Sequence, residues 1–241
     1  MANVTEPPPL DGAGTSEEVW QAFFELCTVV TWTPGRPRSG RAVVVAPHPD
    51  DEILGPGGTL SVLSTAGTAI VLVAVTDGEA SHLGRVDELR ALRPRESAQA
   101  AAVLGITPSS IHRLGHPDGA IDEDRLQQQL TDLVRAGDLL LAPWWRDGHP
   151  DHDRAGRAAL RVGLHQQADL LFYLVWTWQW ASPSTDLPWS QASRVELGGD
   201  LAGRKRRATE CFRSQITGAD PVLPSHVLRK LTRPFEVFLR P

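Results

Sequence analysis

The chain has 241 residues, enough for one sizeable domain with a hydrophobic core, and 41% of them are apolar. Its formal net charge of -5 provides no basic face for nucleic acid or anionic membranes, which argues against both as partners. Its first residues lack a signal-peptide pattern and no apolar run approaches the roughly 20 residues of a membrane span, so we predict a cytoplasmic protein.

The predicted elements begin after a flexible N-terminal arm, residues 1–14, that is rich in Pro and Gly. Thr15–Glu18 has capping-box spacing and predicts a helix through Val29. Apolar runs predict strands over 41–47, 69–76, 111–114, 138–142, 170–175 and 235–239. The stretches between them predict helices over 58–66, 122–136, 153–165 and 200–213, and one that passes Pro94 and ends near Gly105.

The strand pattern defines the fold class. Strands that are apolar on both faces and are separated by helices indicate a parallel sheet covered on both sides. We therefore predict an α/β protein with a Rossmann-like, mostly parallel sheet, helices on both faces, and a single domain over residues 15–241. In such sheets ligands bind beyond the carboxyl ends of the strands.

Two of the predicted strands run into clusters of ionisable residues at that end. The first leads to HPDDE at 48–52, and the fourth leads to HPDH at 149–152. Burying this much charge is costly unless a cation or a reaction requires it. His48, Asp51 and His152 would supply two nitrogens and one oxygen, a donor set that suits Zn²⁺ best and that Fe²⁺ also accepts.

The remaining residues of the two clusters suit acid–base roles. Asp50 adjoins a ligand and could take a proton from a metal-activated water. His149 could stabilise a developing oxyanion or protonate a leaving amine. Asp151 could orient a histidine, and Glu52 could do the same or neutralise a helix N-terminus.

The paired motifs resemble those of the PIG-L/LmbE-like family of zinc-dependent N-deacetylases. The family carries (P/A)HPDD(E) after its first strand and HPDH later, which residues 47–52 and 149–152 match. The resemblance covers about residues 41–215, the motif-bearing core of the predicted domain.

This resemblance implies a role for each motif residue. It makes His48, Asp51 and His152 the zinc ligands and Asp50 the general base, with His149 as oxyanion stabiliser or acid. The choice of Asp51 as the ligand and of its neighbour as the base rests on the resemblance, because the spacing alone leaves the two aspartates interchangeable.

Three further residues are predicted to bind substrate. The stretch 114–119 resembles a family loop that lines the substrate pocket, so Asp118 is expected to contact sugar hydroxyls, as is Arg95 on the preceding helix. Asp147 stands where some relatives have a tyrosine that can reach the reacting carbonyl. An ionised aspartate cannot donate there, so either His149 carries that role alone or the substrate differs.

Tryptophan residues cluster after the fourth and fifth predicted strands. Trp176, Trp178 and Trp180 alternate, which predicts one shared face of an extended segment. Together with Trp144 and Trp145 they would form a substrate pocket wall. The alternative is a core edge or a contact in a homo-oligomer, and the pattern leaves these possibilities open.

These features predict a hydrolase that removes an acetyl or other acyl group from the amide nitrogen of an N-acetylglucosamine-type sugar or glycoconjugate, with one Zn²⁺ per chain. An amidase acting on a thiol-sugar conjugate or a natural-product amide is the alternative within the family. A metal phosphoesterase, which usually needs two metals, and a non-catalytic sugar-binding module are more distant alternatives.

Overall fold

A computed structural model describes residues 12, 14–27, 29–185, 187–219 and 221–241, so the predicted arm over 1–14 lies largely outside the described residues. Within these ranges eight strands form one sheet. They are β1 (Val30–Thr31), β2 (Arg41–Ala46), β3 (Ala69–Ala74), β4 (Ser110–Arg113), β5 (Leu139–Pro143), β6 (Asp169–Tyr173), β7 (Ala192–Glu196) and β8 (Phe235–Leu239).

The order across the sheet is β1-β7-β8-β6-β5-β2-β3-β4. All neighbouring pairs are parallel except those of β8, which runs antiparallel to both β6 and β7. The predicted α/β, mostly parallel sheet is therefore confirmed. Strands β2 and β5 are almost fully buried along their length, as their continuous apolar sequences require.

The described ranges contain ten helices. They are α1 (Glu17–Leu26), α2 (Asp51–Leu54), α3 (Gly57–Thr65), α4 (Val86–Val103), α5 (Glu123–Leu133), α6 (Pro150–Gln166), α7 (Thr177–Trp180), α8 (Leu201–Thr209), α9 (Arg213–Ile216) and α10 (Ser225–Leu231), with a 3₁₀ turn at Trp189–Gln191. Because β3 and β6 lie on opposite sides of the β2–β5 pair, right-handed crossovers place α3 and α6 on opposite faces. No helix in the described ranges combines the length and hydropathy needed to cross a membrane.

The structure departs from the predicted elements at a few places. Helix α6 begins at Pro150, not at residue 153, because proline is favoured at the first helical position and His149 caps the helix. Helix α4 continues through Pro94 without a break. Strands β1 and β7 are additional; β1 has only two residues, and β7 is only partly buried, so neither has a strong apolar pattern.

A buried ion pair connects the last strand to the region just after the first motif. Glu236 on β8 accepts hydrogen bonds from the backbone N–H groups of Gly58 and Thr59, at 2.6 and 2.8 Å, in the first turn of α3. Lys205 on α8 donates to the same carboxylate at 2.5 Å and to the carbonyl of Gly55 at 2.9 Å. The carboxylate thus caps a buried helix start whose N–H groups have no partners within the helix.

Candidate active site

The two His-Pro-Asp motifs meet at one place in the fold. They follow β2 and β5, which pair with each other in parallel register. The direction of the sheet order reverses between these strands, since β3 lies beyond β2 and β6 lies beyond β5. Open α/β sheets bind ligands at such a reversal. The topology therefore brings together two clusters that are far apart in sequence.

Three side chains could hold a metal ion at this position. His48, Asp51 and His152 each offer one ligand atom, and these atoms all lie within 4.8 Å of one another. Oδ2 of Asp51 lies 3.4 Å from Nδ1 of His48 and 3.3 Å from Nε2 of His152. The three residues are 8%, 2% and 0% exposed, so the group is shielded from water.

The environment of His152 fits a metal. Its Nε2 atom is buried and has no hydrogen-bond partner among the described residues, although Asp51 is close. Its other nitrogen, Nδ1, lies 2.8 Å from the Asp147 carboxylate. Burial lowers the pKa of His152, but Asp51 and Asp147 outweigh it and raise the pKa to about 9. A metal at this site would replace a proton.

Asp50 lies beside the metal group and faces an arginine. Its Oδ2 accepts a hydrogen bond from Nη2 of Arg93 at 3.0 Å, and the same guanidinium donates to the carbonyl of Gly78 at 2.6 Å. Burial raises the pKa of Asp50 to about 6, against the opposing effect of Arg93. A carboxylate with a pKa near 6 is well matched to accept a proton at neutral pH.

His149 is arranged as a hydrogen-bond donor toward the site. As the N-cap of α6 it accepts at Nδ1 from the backbone N–H of Asp151, at 3.2 Å, so the neutral ring carries its proton on Nε2. Burial, with the charges of His152 and His48, lowers the pKa of His149 to about 4. The ring also stacks on Trp176, with centroids 6.2 Å apart.

Two other aspartates face the second nitrogen of His48. Nε2 of His48 lies 3.1 Å from Asp118 and 3.3 Å from Asp151. Asp151 is fully buried and accepts from the backbone N–H groups of Gly119 and Ile121. It therefore holds the 115–121 loop against the site, whereas Asp118 remains partly exposed beside the cavity.

A cavity of about 250 Å³ opens beside the candidate metal ligands His48 and Asp51. His48, Asp50, Asp51 and His149 form its reactive wall. Further lining residues come from six other segments and include Ala80, Ser81, Arg93, Asp118, Trp176, Gln215, Val222 and Leu223. The cavity is thus large enough for a small-molecule group and has both polar and apolar walls.

Four of the predicted substrate-binding residues lie away from this cavity. Arg95 is exposed on α4, and the arginine that reaches the site is Arg93, because the helical register through Pro94 turns residue 95 outward. Trp144 is buried and Trp145 packs beside it, outside the cavity. Asp147 is fully buried beneath His152.

The tryptophans after β6 do not share one extended face. The segment turns into the short helix α7, so their side chains point in different directions. Trp176 lines the cavity, Trp180 donates to the Asp147 carbonyl, and Trp178 packs edge-on against Trp20 of α1. The predicted tryptophan pocket wall is therefore reduced to one residue.

Sequence reasoning missed Arg93 and the stacking of Trp176 on His149. Arg93 stands two residues before Arg95, the arginine that was predicted to bind substrate. The helical pattern could have distinguished the buried arginine from the exposed one, since Leu89, Arg93 and Ser97 share the buried side of α4. The sequence carries no local signal for the stacking of Trp176 on His149.

Fold and site together define a class: a Rossmann-like α/β protein with a candidate mononuclear metal centre at the carboxyl end of its sheet. Residues 43–162 match the family model PIG-L, described as GlcNAc-PI de-N-acetylase. Residues 43–162 therefore form a PIG-L family domain, and PIG-L deacetylases are metal-dependent.

Relatives and solved structures agree with this assignment. A diacetylchitobiose deacetylase of Thermococcus kodakarensis is 31% identical over 150 residues, 56% of this chain and 54% of that protein. A 1D-myo-inositol 2-acetamido-2-deoxy-alpha-D-glucopyranoside deacetylase of Nakamurella multipartita is 34% identical over 131 residues, 50% of this chain and 42% of that protein. The chain thus spans about half the length of the curated relatives it matches.

The fold is shared with a solved structure. The N,N'-diacetylchitobiose deacetylase from Pyrococcus horikoshii superposes with a TM-score of 0.61 and 23% identity, over 83% of this chain and 77% of that one. At this identity the likeness supports the fold.

Proposed function

We propose that this protein is a zinc-dependent hydrolase that removes the acetyl group from the amide nitrogen of an N-acetylglucosamine-type sugar or glycoconjugate. The observation that carries the proposal is the buried Nε2 of His152, which has no hydrogen-bond partner among the residues that the structure describes. This atom lies against Asp51 and His48 at the floor of a cavity walled by Asp50 and His149. The names of the relatives, which are deacetylases of N-acetylated sugars, support the substrate class.

In this proposal the metal is held by His48, Asp51 and His152. Two imidazole nitrogens and one carboxylate leave coordination positions open, as hydrolytic Zn²⁺ sites do. When bound, the metal supplies Lewis acidity, which polarises an amide carbonyl and lowers the pKa of water.

The other residues move or hold protons. Asp50 accepts the proton of the attacking water, and Arg93 keeps its carboxylate directed into the cavity. His149, a donor at Nε2, hydrogen-bonds to the substrate oxygen as negative charge develops on it. Asp118, partly exposed at the same wall, contacts a sugar hydroxyl. The proton taken by Asp50 then passes to the departing amine, so acetate and a free amino sugar are the products.

The decisive experiment is an assay of metal-stripped protein with added zinc against a panel of amides. The panel contains N-acetylglucosamine, N,N'-diacetylchitobiose and a thiol-sugar amide, with p-nitrophenyl phosphate as the phosphoester control. We expect zinc-dependent acetate release from the acetylated sugars. A clear preference for the thiol-sugar amide would favour the amidase alternative. Phosphate release without cleavage of any amide would overturn the proposal.

A further inference from the structure

We propose that Asp147 is a positioning residue that fixes the protonation pattern of His152 and thereby sets the affinity of the site for its metal. This inference rests on the metal site of the proposed function, and it assigns to Asp147 a task different from substrate contact. Asp147 lies within hydrogen-bond distance of the metal-site histidine but is 0% exposed, so no substrate can touch it.

The carboxylate is surrounded by donors. Oδ1 accepts from the backbone N–H groups of Val175 and Thr177, at 3.2 and 2.9 Å, and from the Thr177 hydroxyl at 2.5 Å. Oδ2 accepts from the backbone N–H of Trp176 at 2.9 Å and lies 2.8 Å from Nδ1 of His152. Three of these donors are main-chain groups just after β6, so the carboxylate cannot rotate away without leaving buried N–H groups unpaired.

This arrangement determines which nitrogen of His152 carries a proton. A carboxylate that accepts from several N–H groups has no proton to give, so the nitrogen that faces it, Nδ1, must be the donor. The lone pair of the neutral ring is then on Nε2, the buried atom that lies 3.3 Å from Asp51 and has no hydrogen-bond partner in the described part of the chain. A carboxylate behind a ligand histidine orients the ring and raises its basicity toward a metal.

Replacement of Asp147 by asparagine separates this role from packing. In Asp147→Asn one oxygen becomes an NH₂ group of nearly the same size. With its carbonyl oxygen kept on the three donors at the Oδ1 position, the NH₂ group faces Nδ1 of His152 and also the backbone N–H of Trp176, which loses its acceptor. The ring is then driven to accept at Nδ1 and to hold its proton on Nε2, where a metal would bind.

The test is a zinc titration of the metal-stripped protein in competition with a chromophoric chelator. We expect Asp147→Asn to weaken zinc binding by about 10- to 100-fold, the usual effect of losing such a partner. The matched control is Asp153→Asn in the first turn of α6, whose carboxylate accepts from the N–H of Gly148 and does not face a ligand. This control should bind zinc as the wild type does.

A second variant keeps the test decisive if Asp147→Asn fails to fold. Thr177→Val removes only the hydroxyl that donates to Oδ1, and it should weaken zinc binding by a smaller, several-fold factor. Unchanged zinc affinity in a folded Asp147→Asn protein, or in Thr177→Val if it alone folds, would overturn the inference. Failure of the wild-type protein to bind zinc would instead overturn the metal site of the proposed function, so the two failures are distinguishable.

Discussion

His48 and His152 lie on either side of the Asp51 carboxylate, and each turns a different ring nitrogen toward it. His48 presents Nδ1 and keeps Nε2 against Asp118 and Asp151, whereas His152 presents Nε2 and keeps Nδ1 against Asp147. In both cases a carboxylate behind the ring selects the nitrogen that faces the candidate metal position.

The two sides differ in how they are shielded. The carboxylate behind His152 is fully buried and saturated by main-chain donors. Of the two behind His48, Asp118 is partly exposed and lines the cavity. One histidine is therefore held by a closed part of the fold, and the other by a residue that a substrate can reach. Substitutions on the closed side should weaken metal binding, and substitutions on the open side should weaken substrate binding.

The largest effect is expected at the residue the two sides share. Asp51→Ala removes the oxygen that lies between both histidines, so zinc binding and turnover should be lost. Zinc at 100 times its dissociation constant should stabilise the wild type by about 2.7 kcal/mol, a shift of about 5 to 10 °C in Tm at this chain length. Asp51→Ala should show no such shift in a thermal melt. A zinc-dependent shift equal to that of the wild type would contradict the ligand assignment.

The next largest effect is expected for a substitution that lowers turnover but leaves the metal bound. Asp50→Asn keeps the size of the side chain and removes its ability to accept a proton, so turnover should fall by about 10²- to 10⁴-fold. Zinc content, measured by elemental analysis, should match that of the wild type. If this variant loses zinc while Asp51→Ala keeps it, the roles of the two aspartates are reversed.

A smaller effect should distinguish Arg93 from Arg95 on α4. Arg93→Gln removes a charged hydrogen bond to Asp50 in a buried position and should reduce turnover by about 10- to 100-fold. Arg95→Gln, two residues along on the exposed face, is the matched control and should leave kcat and KM unchanged. Equal losses in both variants would mean that the helix orientation in solution differs from the one described.

The smallest effect is expected on the open side of the site. Asp118→Asn removes a charge beside His48 but leaves an oxygen that can accept from the N–H of Ala80. We expect about a fivefold rise in KM, which corresponds to one hydrogen bond of about 1 kcal/mol. Zinc affinity should change less than in Asp147→Asn. If Asp118→Asn loses more zinc affinity than Asp147→Asn, the open side controls metal binding more strongly than the closed side, which would contradict the comparison.

The sequence predicts the parts of this site that depend on local chemistry and sheet topology. Polar clusters at the ends of two buried strands belong to a parallel sheet, and parallel strand ends lie at one edge, so the approach of His48 to His152 follows from pattern alone. The family resemblance then separates Asp50 from Asp51.

Contacts between segments that are far apart in the sequence cannot be predicted from local patterns. The main-chain partners of Asp147 lie 28 to 30 residues further along the chain, and they act through backbone N–H groups, which nearly every residue possesses. The sequence therefore contains no sign that Asp147 lies buried beneath His152, away from the cavity. The alternation of the tryptophans led to the prediction of an extended segment, because a period of two is typical of a strand. The segment instead forms the helical turn α7, after β6 has ended at Tyr173.

The contact of Glu236 with the start of α3 has a consequence for biogenesis. The first His-Pro-Asp motif and helix α3, which follows it, are synthesised early, but the carboxylate that caps α3 lies on the last strand. A ribosome-bound nascent chain can form β2 and β3 and still leave the buried N–H groups of Gly58 and Thr59 without their acceptor. The corner that carries His48 and Asp51 thus reaches its final support only when translation has passed β8.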